Sequence, residues 1–477
     1  MVFSSPGFIF FFFPVFFLLY FLTRPSYRNL VIFIFSVLFY SIDAGSITVV
    51  LIGSVLVNYY GAELITRQKS EIYRNLMLAL GVILNLLPLF YFKYWGFFTG
   101  SIHDVLTFVS PGADIPTGWG AASIILPAGI SFFTFQGISY LVDAKRRETG
   151  TAPNLVAFGM YHTLFPQLIA GPIVRYKEVE HQIVNRSVSF DRVYAGIIQF
   201  ELGLGKKMIL ADPAGTVADH IFGLNPLELS SAAAWTGIVA YTVQIFFDFS
   251  GYSDMAIGLG RMLGFDFPAN FDQPYRARNI TEFWRRWHMT LSRWFRDYVY
   301  IPLGGNRASA MRTYFNLGLV FVLCGLWHGA AYTFLAWGAW HGLWLVFERM
   351  LYHRWGWRPS GAIGWMTTIL IVMLGWVLFR SPDLHSALYY VQALAGFGEG
   401  VQSLSTMHFI TSDKITFIVI AAVLSVLPAS LLRSVPSSDN SSVVQYVWSG
   451  VAGFLVFAYA VSMVAANSFN PFIYFRF

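Results

Sequence analysis

The chain has 477 residues, of which 56% are hydrophobic, 18% aromatic and only 12% charged. A soluble domain carries about 25% charged residues to face water, so this composition excludes a soluble enzyme, a disordered chain and a nucleic-acid-binding domain. The net charge of +6, from 31 basic against 25 acidic residues, is what the Lys- and Arg-rich cytoplasmic loops of a polytopic membrane protein give.

A spanning helix needs about 20 apolar residues to cross roughly 30 Å of hydrocarbon. The opening MVFSSPGFIFFFFPVFFLLYFLT has no early Lys or Arg and no small-x-small cleavage site, so 1–23 reads as a retained first helix. Further uncharged runs follow at 29–42, 44–62, 75–92, 115–142, 149–174, 229–247, 313–347, 359–379, 415–432 and 440–475. They predict an all-α polytopic membrane protein of about 11 to 13 membrane elements, in a single domain over 1–477. Arg24 and Arg28, then Arg67, Lys69 and Arg74, then Lys145, Arg146 and Arg147 fall on one side if five simple spans precede residue 143. The N-terminus is then outside and those loops are cytoplasmic.

Alternation fails next. If 149–174 crosses, the basic loop with Arg175, Lys177, Arg186 and Arg192 lies outside. A re-entrant segment at FPQLIAGP, with proline at both ends, restores the charge rule, because irregular backbone is tolerated at depth where protein covers it. The run 313–347 would measure about 52 Å as one helix, so it must turn back on itself. Gly325, Gly329, Gly338 and Gly342 are the candidate breaks.

Between these runs, YRARNITEFWRRWHMTLSRWFRDYVYIPLGG at 275–305 does not belong in lipid. Arg276, Arg278, Arg285, Arg286, Arg293 and Arg296 face only Glu282 and Asp297, and each Arg at a helix centre in lipid costs about 2.5 to 3.5 kcal/mol. Trp284, Trp287, Trp294, Phe295, Tyr298 and Tyr300 are equally out of place in a solvated loop. Two compatible readings remain: an interfacial helix anchored in the headgroups, or the wall of a water-filled funnel whose arginines receive an anion. Helical spacing would put Trp284, His288, Leu291 and Phe295 on one face, with Arg285 and Ser292 beside His288.

His328 sits deep in the uncharged run, in LCGLWHGAAYTFLAWGAWHGLW. An ionisable group at that depth suggests function, and imidazole suits a general base. The alternative is a neutral histidine bonded across a helix interface, which fits His341 better still. Neither HExxH nor a Cys–His cluster occurs, so no metal is expected. The one cysteine, Cys324, forms no intrachain disulfide and stands four residues before His328. It reads as a buried filler, with a covalent relay as the other option. Asp248 and Asp254 in IFFDFSGYSDMAIGLG are expected to pair with the arginines of 276–296, to bind a cation or to contact substrate.

Taken together, WRRWHMTLSRWFRDYVYIPLGG followed by LWHG resembles the membrane-bound O-acyltransferase (MBOAT) family. The likeness is to its bacterial polysaccharide O-acetylation branch, which includes alginate O-acetylation proteins. ILPAGISFFTFQGISYLVD, LFPQLIAGPIVRY and FDFSGYSDMAIGLGRMLGF resemble that branch's middle motifs, in the same order. The resemblance implies a ring of tilted helices and re-entrant segments around a central funnel, with His328 as the intramembrane catalytic histidine and His288 as the second motif histidine. It implies acetyl transfer from a cytoplasmic thioester, most simply acetyl-CoA, with no bound cofactor. Trp284, Arg285, Arg286, Trp287, Arg293, Arg296, Asp297, Trp327 and Cys324 are then the candidate donor-site residues. It further implies a bacterial inner-membrane location and an acetyl-accepting SGNH-hydrolase-like periplasmic partner within a polysaccharide export or modification complex. The polymer stays open among alginate, cellulose, another exopolysaccharide and peptidoglycan. A transporter or flippase using His328, Asp248 and Asp254 as a relay, and a scaffold for an export machine, are the competing readings.

Overall fold

The computed structural model describes residues 1–110, 125–225, 227, 229–307, 309–397, 411–427, 443–466 and 472. Among them every regular element is a helix. Among the described residues six helical stretches are long and apolar enough to cross a membrane: Pro25–Arg67, Glu71–Val109, Ser231–Met262, Ala310–His328, Gly361–Arg380 and Val444–Ala465. Parts of the expected spans 115–142, 415–432 and 440–475 lie outside the described residues. The chain divides into two compact units, one over residues 7–186 with Met1 and one over residues 2–6 with 187–477.

In the first unit a π-helical turn at Phe8–Phe12 leads into α1 (Phe13–Leu22). α2 (Arg28–Ala44) and α3 (Thr48–Arg67) meet at Gly45, whose φ of +52° suits glycine alone. α4 (Glu71–Leu89) continues through a π turn into α5 (Trp95–Val109), and α6 (Ile130–Arg146) is buried along nearly its whole length. Polar side chains bind these apolar helices across their faces: Asn58 and Asn85 exchange reciprocal amide hydrogen bonds of 2.9 Å, and Ser54 pairs with His162 Nε2 at 2.9 Å.

The run 149–174 is not one crossing helix. α7 (Leu155–Thr163) has nine residues, about 14 Å of rise against roughly 30 Å of hydrocarbon. Leu164 bends the chain into α8 (Phe165–Leu168), and irregular backbone runs on to Arg175, where α9 (Tyr176–Val184) begins. Protein covers that backbone: Gln167 Nε2 donates to Tyr161 O at 2.8 Å and Tyr161 Oη donates to Val174 O at 2.9 Å. The helix breaks at Leu164, immediately before FPQLIAGP, the segment expected to be re-entrant.

The second unit begins with α10 (Phe190–Gly205), a π turn at Lys206–Ala211, and α11 (Asp212–Phe222). α12 (Ser231–Met262), 32 residues long, is buried over most of its length and forms the spine. The stretch 275–305 is not one interfacial helix. It breaks into α13 (Ile280–Arg286), α14 (Met289–Phe295) and a π turn at Arg296–Tyr300. The run 313–347 does turn back, at Gly329–Ala331 between α15 (Ala310–His328) and α16 (Tyr332–Trp355). Gly325, Gly338 and Gly342 lie inside helices instead, and a Cβ on Gly325 or Gly338 would strike the backbone of the opposite helix. α17 (Gly361–Arg380), α18 (Leu384–Leu394), α19 (Ser412–Val426) and α20 (Val443–Ala466) complete the unit.

Candidate active site

The break in the Arg/Trp-rich stretch falls on His288, which adopts φ +42°, a left-handed conformation uncommon outside glycine. It persists because segment 270–272 takes up the backbone groups the break frees. Asp272 N donates to Arg286 O at 2.9 Å, and Met289 N donates to Asn270 O at 2.9 Å. Asn270 also fixes the ring. Its Oδ1 accepts from Thr290 Oγ1 at 2.9 Å and from His288 Nδ1 at 3.1 Å, while its Nδ2 donates to Ser253 Oγ at 3.1 Å. The neutral imidazole thus holds its proton on Nδ1 and its lone pair on Nε2. Strain at a non-glycine residue, held by surrounding bonds, is a mark of functional positions.

His328 ends α15 and is 4% exposed. Its ring stands edge-on to Trp327, Trp337 and Phe379 at centroid distances of 4.9, 5.0 and 5.2 Å. The extended conformation of Gly329 stops the helix at this point, and a Cβ there would strike the Phe334 ring. His288 comes to 6.5 Å from His328, centroid to centroid, and to 6.0 Å from Trp327. Two histidines separated by forty positions in the chain are thereby brought together in an aromatic, water-poor setting. There a neutral imidazole can accept a proton from a hydroxyl and return it to a leaving group.

A cavity of about 260 Å³ reaches Cys324 on the same helix as His328, though neither histidine is among its lining residues. α13 and α14 supply Trp284, Arg285, Leu291, Ser292 and Phe295 to its wall, Arg296 and Tyr300 follow, and α15 supplies Cys324 one turn before His328. The lining is mostly apolar, with the hydroxyls of Thr281, Ser292 and Tyr300 and two charged groups, Arg285 and Arg296, both exposed. The expected donor residues therefore separate. Trp284, Arg285, Arg296 and Cys324 line the cavity. Trp287 and Trp327 are buried among aromatic rings, Trp287 lying 5.0 Å from Trp376. Arg286 pairs with Glu282 at 3.0 Å and Asp272 at 3.2 Å, Asp297 pairs with Arg296 at 2.7 Å, and Arg293 is half-buried on α14. Of the single face expected for Trp284, His288, Leu291 and Phe295, only His288 departs: the helix ends before it, while the other three share the cavity wall.

The expected partners of the two aspartates need correction. Asp248 pairs with Lys207 at 2.8 Å, and Lys207 also meets Asp212 at 2.6 Å; Asp254 pairs with Lys206 at 2.5 Å. The pairing is ionic, but with lysines of the π turn and not with the arginines of 276–296. That turn explains the choice, since its altered winding aims two successive lysines at α12. His341 is buried and accepts a hydrogen bond at Nδ1 from Trp284 Nε1 at 3.3 Å. Among the described residues no three His, Cys, Asp or Glu side chains gather as metal ligands. Sequence reasoning missed Asn270, Trp337 and Phe379. The tryptophan lay in a readable Trp-rich run, whereas the other two carried no local signal.

The sequence model of the MBOAT, membrane-bound O-acyltransferase family, matches residues 29–380. The chain belongs to this family. The MBOAT assignment makes it a multi-pass membrane acyltransferase, and similar proteins agree. A probable alginate O-acetylase AlgI of Pseudomonas putida is 39% identical over 100% of both chains. A peptidoglycan O-acetyltransferase of Helicobacter pylori is 36% identical over 83% of this chain and 80% of its own. A teichoic acid D-alanyltransferase of Bacillus subtilis is 28% identical over 64% of this chain and 78% of its own. The MBOAT match covers α13 to α15, the elements that carry both histidines and the cavity.

Proposed function

We propose that this MBOAT protein moves acetyl groups from cytoplasmic acetyl-CoA to an acceptor hydroxyl for O-acetylation of an extracytoplasmic polysaccharide, alginate or a similar polymer. The observation that carries the reading is the cavity whose wall includes Cys324, one helical turn from His328, and whose mouth carries Arg285 and Arg296. An anionic thioester docks its charged part on the guanidinium groups and extends its thioester along the apolar wall towards His328. The His328 imidazole takes the proton of the attacking hydroxyl. The oxygen bonds to the acetyl carbonyl carbon, the carbon–sulfur bond breaks, and the departing thiolate receives the proton from His328. His288, its proton held on Nδ1 by Asn270, positions the acceptor or donor through Nε2.

The reading includes a periplasmic SGNH-hydrolase-like acceptor within a polysaccharide-modifying complex, and residence in a bacterial inner membrane. Labelled acetyl-CoA consumption by protein in nanodiscs tests it, wild type beside His328→Ala and His288→Ala. A folded His328→Ala protein is expected to lose about 10²- to 10⁴-fold in rate, the usual worth of a general base. Unchanged turnover in that variant would break the mechanism.

A further inference from the structure

α13 has seven residues, too few to hold its own shape in isolation. Yet Trp284 and Arg285 on it shape the cavity wall. What fixes it is α16. At its N-terminus the buried Glu348 carboxylate accepts from Ile280 N at 2.5 Å, Thr281 N at 3.0 Å and Thr281 Oγ1 at 2.9 Å. At its other end Trp284 Nε1 donates to His341 Nδ1. His341 and Glu348 are seven residues apart, about two turns, and so share one face of α16.

His341 is suited to that task and to no proton transfer visible here. An indole N–H only donates, so Nδ1 of the neutral ring accepts and its proton lies on Nε2. Nε2 in turn faces α17 at Gly375, where an added Cβ would lie 2.8 Å away. The ring stands edge-on to Trp284 at 5.1 Å and lies 5.2 Å from Trp337, the tryptophan that packs on His328.

We propose that His341 and Glu348 are positioning residues: α16 clamps α13 at both ends, and His341 sets the indole of Trp284 against the cavity. The effect on donor use rests on the acetyl-CoA reading given above, whereas the clamp itself does not. The chain's one cysteine separates the two, because Cys324 lines the same cavity. Its rate of reaction with methyl methanethiosulfonate, a small neutral thiol reagent, reports access in nanodiscs without any donor.

His341→Leu keeps the bulk and removes the acceptor; His341→Gln restores one. Cys324 labelling is expected to accelerate about fivefold to tenfold in His341→Leu, the worth of one buried hydrogen bond, and to return to the wild-type rate in His341→Gln. Trp284→Phe removes the same bond from its other side, so the double variant labels no faster than the faster single one. Glu348→Gln leaves one acceptor oxygen for three donors and accelerates labelling as well. With acetyl-CoA, His341→Leu raises the donor KM by a similar factor while kcat changes less than about twofold, the pattern of lost binding and not of lost chemistry. Unchanged Cys324 labelling, additive effects in the double variant, or a fall in kcat with KM unmoved would each overturn the proposal. Wild-type protein that consumes no acetyl-CoA, with labelling still responding to His341→Leu, would sink the donor reading and leave the clamp standing.

Discussion

The two histidines were legible because an ionisable ring in a long apolar run is conspicuous, and Arg285 and Arg296 because lipid excludes them. Asn270 was not, since an asparagine in FDFPANFDQP reads as a turn residue. Its role exists only once the fold brings residue 270 beside 288. Asn270 Oδ1 accepts from His288 Nδ1 and from both the backbone and hydroxyl of Thr290. In Asn270→Leu, of similar size, these buried donors lose their acceptor, at about 1–3 kcal/mol for each group left unsatisfied. The variant is therefore expected to melt at lower temperature in detergent, and to lose acetyl transfer even below its melting point, because His288 is no longer held as the Nδ1–H tautomer. A protein that melts as wild type would show that the asparagine does not hold the break.

At the scale of elements, hydrophobic runs located the helices well, since crossing a bilayer demands length and apolarity together. Breaks were harder. The helix ends before His288 without glycine or proline, because backbone groups of 270–272, distant in the chain, complete the hydrogen bonding. Gly325, Gly329, Gly338 and Gly342, the candidate breaks of the run 313–347, split for a different reason: a glycine that ends a helix and one that lets two helices touch look alike in sequence. Gly329 ends α15, while Gly325 and Gly338 let α15 and α16 approach. Gly325→Ala is accordingly expected to destabilise by about 1–3 kcal/mol through overpacking. Gly318→Ala, on the same helix with open space where its Cβ would stand, should gain up to about 1 kcal/mol from helix propensity. Thermal unfolding of the two variants in one detergent checks the pair, and equal shifts would refute the close-approach argument.

For the whole molecule, composition and span count identified a polytopic membrane protein, but they could not reveal how its buried charges are matched. Lys207 and Asp248 are each 2% exposed on the side chain, and desolvating both is tolerable only while they neutralise each other. Their partnership decides between two views of the acidic residues in α12. As a structural pair, Lys207 and Asp248 serve folding and stand apart from the chemistry proposed for His328; as a relay, they must exchange protons or ions during turnover. Lys207→Met is expected to destabilise by about 3–5 kcal/mol, the cost of stranding a buried partner. Asp248→Leu strands the lysine less severely, because Asp212 still meets it at 2.6 Å. The double variant should cost less than the sum of the singles, with a coupling of about 1 kcal/mol or more. Where it folds, it should retain acetyl transfer within about tenfold of wild type, since neither side chain is among those that line the cavity. A double variant that is as stable as the single ones yet catalytically dead would make the pair part of a relay, and would move the centre of the mechanism from α15 to α12.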